Sequence, residues 1–247
     1  MDPLDVLYLE HAIASYDKSV YLEAMHGKQS WELRLDLGTL AFAGPHGVRE
    51  EYAVQFLGTA STSRRTWLWA WANEAVFPQK SALVCALELA ALDKHGQLPE
   101  LARSETSLIR SNSTIAFDTM LAAVASGICR AGAHFRAPYD DGALWMLIKD
   151  ARFKRPVQRP LARIARIVPM YFAKYQVTDA LSAFLNYMSF YRLQPVGESH
   201  DNGTRVTVAP HSEPTAIQLE QRKLVAEFGR DQQFLRIDWL GQSLKHD

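Results

Sequence analysis

Residues 66–73 read TWLWAWAN, and three of the chain's six tryptophans stand at alternate positions within them: Trp67, Trp69 and Trp71. Alternate residues of a strand share a face. The three indoles therefore point one way, and Leu68, Ala70 and Ala72 point the other. A strand that is apolar on both sides belongs inside a sheet, with large rings on one face and a close approach through small alanines on the other. An open aromatic platform for bases or sugars would combine its rings with basic residues, and only Arg64 and Arg65 precede this run. The expectation is a structural core of Trp67, Trp69 and Trp71.

The remaining chain supplies what such a strand needs. Asp2-Pro3 is an N-cap and first-turn pair, and helical spacing of Leu4, Leu7, Tyr8, His11 and Ala12 predicts a helix to about Met25, ended by Gly27. WELRLDLGTLAFAG (31–44) alternates apolar and charged residues like a half-buried strand punctuated at Gly38-Thr39. YAVQFLGTA (52–60) predicts a second strand, with STSRR turning the chain into TWLWAWAN as its antiparallel partner. Residues 80–94 predict a helix ended by Gly96, and Pro99 begins a shorter one. Ser111-Asn112-Ser113 would cap a long apolar helix through Ile115, Met120, Leu121, Val124 and Ile128. AHFRAPYDDGALWMLI (133–148) reads as strand, Asp-Asp-Gly turn, strand. Residues 158–192 read as helical with a break at Pro169, GESHDNGT (197–204) as a polar loop before a short strand RVTVA, 214–229 as a last helix and QQFLRIDWL as a terminal strand. LWAWANEAVF (68–77) echoes LWMLIKDARF (144–153) at Leu68/Leu144, Trp69/Trp145, Ala75/Ala151 and Phe77/Phe153, a weak sign of a duplicated strand-turn-helix unit. The expected class is α+β, a mixed and mainly antiparallel sheet packed against several helices. Residues 1–155 would form the main region, and 156–247 a helical extension with short strands packed on it as one compact unit.

The 247 residues carry 27 basic and 27 acidic side chains, a formal net charge of zero. That balance argues against direct nucleic-acid binding. It is uneven along the chain: residues 1–100 hold a net −5 and residues 101–247 a net +5. The two cysteines, Cys85 and Cys129, lie in apolar helical patterns and are expected as buried free thiols. The acidic N-terminus lacks a basic signal-peptide region and no apolar run reaches membrane-spanning length, so the expected location is cytoplasmic, with no membrane contact.

Recognisable chemistry is sparse. The sequence holds no phosphate-binding glycine loop, no G-x-S-x-G elbow, no C-x-x-C and no H-E-x-x-H. Cys129, His134 and Asp140 could suggest a nucleophilic site, but the expected arrangement puts Cys129 at the end of a buried helix and His134 outward on a strand. Glu50-Glu51 and Asp140-Asp141 read as turn residues, and Asn73 as a turn cap. No catalytic residue, cofactor or metal site is expected. The block KDARFKRPVQRPLARIAR (149–166) places Arg159, Arg163 and Arg166 on one helical face.

FLGT (56–59) followed by a short turn and TWLWAWAN (66–73) also resembles a bacterial domain family of uncharacterised function, marked by a Leu-Gly-Thr strand and Thr-Trp-x-Trp-Ala-Trp-Ala-Asn. The resemblance covers about residues 1–150. It implies an accessory or toxin-neutralising role and supplies no catalytic residues. The functional expectation is a non-enzymatic, immunity-type inhibitor of one protein partner, a secreted toxin. The acids Asp2, Asp5, Glu10, Asp17, Glu23, Glu50 and Glu51 would face that partner, with Arg159, Arg163 and Arg166 as the alternative patch. The competing expectation is an enzyme or small-ligand binder with a pocket between sheet and helices.

Overall fold

The computed structural model describes residues 1–44, 47–77, 79–110, 115–153, 159–209 and 223–240. It shows an α+β chain that divides into two compact units, 1–156 and 157–247. The predicted caps for 111–113 and the part of the last helix over 214–222 lie outside the described residues.

In the first unit, helix α1 (Pro3–His26) begins where the sequence predicts, with the Asp2 carboxylate accepting the Leu4 amide at 2.9 Å. Strands β1 (Ser30–Arg34) and β2 (Thr39–Ala43) form a hairpin, so the stretch read as one strand is two. The apolar alternation runs on through Leu35 and Leu37, but Gly38, at φ +63°, takes the left-handed conformation and folds the chain back. Strand β3 (Arg49–Ser61) is the spine of the sheet. It pairs with β2 through 49–53 and with β4 (Thr66–Trp69) through 58–61. It also pairs with β7 (Gly142–Ile148) through 54–61, with a bulge at Leu57. The flanks of β4 and β7 are β5 (Glu105–Ser107) and β6 (Ala133–Tyr139). Helices α2 (Val84–Ala90), α3 (Pro99–Ala102) and α4 (Phe117–Ile128) complete this unit.

The sequence echo has a structural counterpart: Leu68 and Leu144 both stand opposite Thr59, and Trp69 and Trp145 both stand opposite Gly58, on the two strands that sandwich β3. Gly58 is required there. A Cβ would lie 2.5 Å from the Leu68 carbonyl oxygen and 2.9 Å from the Trp67 ring. All seven residues of β7 are buried, so both faces of the sheet are covered. Met146 and Ile148 join a core with Leu40, Phe42, Tyr52, Val54, Phe56 and Phe153. On the opposite face, Trp145 Nε1 donates to Asp118 of α4 at 3.2 Å, and His134 meets α1. Glu50 and Glu51 lie inside β3 rather than at a turn. Asp141 does hold a turn, accepting from the Ser61 and Ser63 hydroxyls at 2.8 and 2.9 Å.

The tryptophan run is only partly a strand. β4 ends at Trp69, and 70–72 wind into a 3₁₀ turn closed at Asn73. Trp67 and Trp69 are fully buried, edge to face at 5.3 Å, and Trp69 Nε1 donates to the Glu100 carbonyl at 2.9 Å. Trp71 has left the strand and is half-buried, a correction to its placement beside the other two. Helix 80–94 is also shorter than predicted: a 3₁₀ turn at 80–83 precedes α2.

The second unit contains α5 (Pro160–Lys174), α6 (Ala180–Phe190) and an antiparallel meander of β8 (Val196–His200), β9 (Gly203–Val208), β10 (Lys223–Gly229) and β11 (Phe234–Leu240). Three expectations are corrected here. α5 continues through Pro169, because Ile164, Ile167, Val168 and Tyr171 are buried on both sides of it. The polar stretch 197–204 is not a loop but the β8–β9 hairpin. Residues 223–229 form a strand, not the end of a helix; Leu224, Ala226 and Phe228 are buried at period two, facing the helices through ring contacts such as Phe184–Phe228 at 5.4 Å. Their solvent side carries Glu227 between Arg205 and Arg236, at 3.0 and 2.8 Å.

Replacing Trp69 by Ala should cost about 3–5 kcal/mol, the usual range for a buried aromatic. Trp71→Ala should cost clearly less, because its ring is half-buried. Denaturant unfolding of the two variants checks the order, and equal losses would contradict it.

Candidate functional site

The chemistry-bearing side chains converge on a seam between α1, α4, α2 and the sheet. One stripe of α1 carries His11, Ser15, Lys18 and Ser19, which helical spacing brings to one side. α4 can approach this stripe because residue 127 is glycine; a Cβ there would overlap the His11 ring. Lys18 is 8% exposed, and its Nζ donates to the Ser126 carbonyl at 3.2 Å and lies 3.5 Å from the Ser126 hydroxyl. His134 of β6 lies against the same stripe, its Nδ1 3.1 Å from Ser15 Oγ and its Nε2 3.2 Å from Ser19 Oγ. It therefore faces α1 rather than outward, correcting the sequence expectation. The reason is register: His134 stands opposite Leu147, whose side of the sheet the helices cover.

The seam continues to two thiols. Cys129 ends α4, as its apolar pattern predicts, and its carbonyl accepts a hydrogen bond from Lys149 Nζ. Its Sγ lies 3.7 Å from the Cys85 carbonyl oxygen. The Cys85 amide is held by Gln55 Oε1 at 3.2 Å, and Gln55 Nε2 donates to the Ser81 carbonyl at 2.8 Å. Glu88 follows Cys85 by one helical turn and is exposed. The two Sγ atoms and a Glu88 carboxylate oxygen all lie within 4.8 Å of one another. Both cysteines are free and buried.

The electrostatics follow from this crowding. Burial lowers Lys18 to about 8, and positive Lys149 adds to the effect. His134 keeps some accessible surface, but its dense surroundings push it down to about 4, with Lys18 acting in the same direction. Burial also lowers His11. A hydrogen bond between the thiols holds Cys85 below its ordinary value and Cys129 above it, while Lys149 favours the thiolate at both.

A second polar chain lies on the other side of the sheet. His26 stacks on Phe42 at 4.3 Å; its Nδ1 is 2.9 Å from Gln29 Oε1 and its Nε2 3.1 Å from Tyr52 Oη, which donates to Glu50 at 2.5 Å. Burial, then the bond to Glu50, raises the Tyr52 phenol. Glu50 itself is exposed, so the chain runs from buried His26 through Tyr52 to a carboxylate at the surface.

The acids expected to face a partner are dispersed. Asp2 and Asp5 pair with Arg110 at 2.8 and 2.9 Å. Asp17 is 0% exposed and so adds nothing to a solvated acidic surface, a correction imposed by its place on a buried side of α1. Glu51 lies 3.9 Å from Arg49. Glu10 and Glu23 are exposed. Arg159 precedes α5, and Arg163 and Arg166 lie within it; Arg159 and Arg166 are exposed and Arg163 half-buried.

Because the depressed lysine is costly while charged, its penalty is fully present below pH 8. It is relieved as pH rises from 8 towards 10.5, where only the unfolded chain still holds the proton. His134 acts at the acid end: between pH 6.5 and 4 the unfolded chain binds a proton that the folded chain does not, so stability falls as pH falls. Compared with Lys18→Met, the native chain should gain stability across the alkaline window; compared with His134→Gln, it should lose stability across the acid one. Parallel pH profiles in thermal or urea unfolding would contradict the buried arrangement.

Among the described residues, no helix is long and apolar enough to cross a membrane. Neither a curated protein nor a solved structure matches this chain. A family model does match, over residues 5–151, which takes in β3, the tryptophan strand, the lysine and both thiols. On that match, covering more than half of its length, the chain belongs to the family of unknown function DUF6882.

Proposed function

We propose that this chain is a non-enzymatic protein-binding protein, most concretely an immunity-type inhibitor that neutralises a cognate secreted toxin in the cytoplasm of a bacterium. The observation that carries the reading is the outward face of α2 and the turn after it. Val84, Leu87 and Leu92 are 47%, 48% and 40% exposed, while Cys85, Ala86 and Leu89 on the inner face are buried. Single exposed apolar residues are ordinary. Two on α2 and one in the turn after it make a surface that a partner would cover. The exposed acids Glu10 and Glu23 remain available to steer a basic partner, which affects association rate more than final affinity.

The second reading, an enzyme or small-ligand binder, draws on the seam itself. Lys18, His134 and the thiols lie between sheet and helices, where that reading expects its pocket, and perturbed pKa values cluster at functional sites.

The deciding experiment is isolation of a partner from the native host, followed by size-exclusion and binding measurements with Leu87→Glu. A one-to-one complex that the native chain forms and Leu87→Glu does not is the expected result. Failure to recover a protein partner contradicts the proposal; a complex indifferent to the charge at position 87 contradicts its placement on α2.

A further inference from the structure

We infer that Cys85, Glu88 and Cys129 form a binding site for a thiophilic divalent cation, zinc being the natural occupant, with a fourth coordination position open to solvent. The site does not depend on the partner-binding reading. Three potential ligand atoms, two sulfurs and one carboxylate oxygen, lie within 4.8 Å of one another. Around a tetrahedral zinc ion, with Zn–S about 2.3 Å and Zn–O about 2.0 Å, ligand atoms stand roughly 3.5–3.8 Å apart. Small side-chain rotations close that difference. Thiolate sulfur selects zinc and similar soft ions over magnesium or calcium.

The surroundings fit a bound cation. Two thiolates and a carboxylate carry three negative charges. A divalent ion leaves one, and Lys149, whose Nζ donates to the Cys129 carbonyl, stands beside the thiols to offset it. The ligands are oriented from behind. Gln55 holds the Cys85 amide, the Ala125 carbonyl accepts the Cys129 amide at 3.0 Å, and Cys85 and Glu88 share one face of α2. These main-chain contacts fix where the two cysteines stand. With both cysteines buried and Glu88 exposed, access is from the Glu88 side. Three protein ligands and a free fourth position are the pattern of a zinc site that can accept a water or a substrate group.

The test is titration of the reduced, metal-free protein with Co²⁺, followed by displacement with Zn²⁺. The expected result is one cobalt per chain with sulfur-to-cobalt charge-transfer absorption, displaced by equimolar zinc and absent in Cys129→Ala. Glu88→Gln, at an exposed position that leaves the core untouched, should weaken binding by at least the roughly tenfold loss usual for even an outer-shell group. Absence of the charge-transfer band in the native chain, or its persistence in Cys129→Ala, overturns the site. If the cysteine variant does not fold, Glu88→Gln decides: unchanged cobalt and zinc affinity overturns it, and the expected weakening supports it.

Discussion

One buried charge organises the seam in the first unit. Taking an ammonium out of water costs several kcal/mol even after the protein relaxes around it, and Lys18 is almost wholly enclosed. It stands there because the end of α4 offers the carbonyl and hydroxyl of Ser126. That requires α4 to lie close on α1, which in turn requires the missing side chain of Gly127 beneath His11. Lys149 lies close enough to depress Lys18 further, and is itself held by the Cys129 carbonyl. One helix–helix approach therefore sets the lysine, the histidine beside it and, at the end of α4, Cys129.

Much of the fold was legible in the sequence, for local reasons. Asp2-Pro3 and Gly27 bound α1 through capping and backbone chemistry that needs no tertiary partner. The β6–β7 hairpin announces itself by its Asp-Asp-Gly turn. Elements went wrong where two periods compete. Leu33, Leu35 and Leu37 alternate straight across a turn, so their pattern could not show where β1 stops. In KLVAEFG, the period two of a strand competes with the helical spacing of the residues before it. Trp71 keeps the alternation of its neighbours while the backbone has already wound into a 3₁₀ turn.

The site was less legible, because its parts are distant in sequence and alike only in space. Cys85 and Cys129 are 44 residues apart, on different helices. His134 is a strand residue whose direction depends on which face of the sheet α1 covers, and nothing in positions 133–139 states that. A signal did exist in α1: polar His11, Ser15, Lys18 and Ser19 recur on the stripe that also carries Leu4, Tyr8 and Leu22. A polar residue within an otherwise buried helical stripe points to a built polar interior. The dispersed acids taught the opposite lesson, since sequence charge cannot distinguish Asp17, enclosed, from Glu23, free in water.

The close packing of α1 on α4 shows itself in the protonation of Lys18. Heteronuclear NMR titration of the Lys18 side chain, assigned by its loss in Lys18→Met, measures it directly. A Lys18 ammonium titrating near 8 is the predicted result. A value at the ordinary 10.5 would place the amine in water. It would also contradict the close packing of α1 on α4 from which the seam is built.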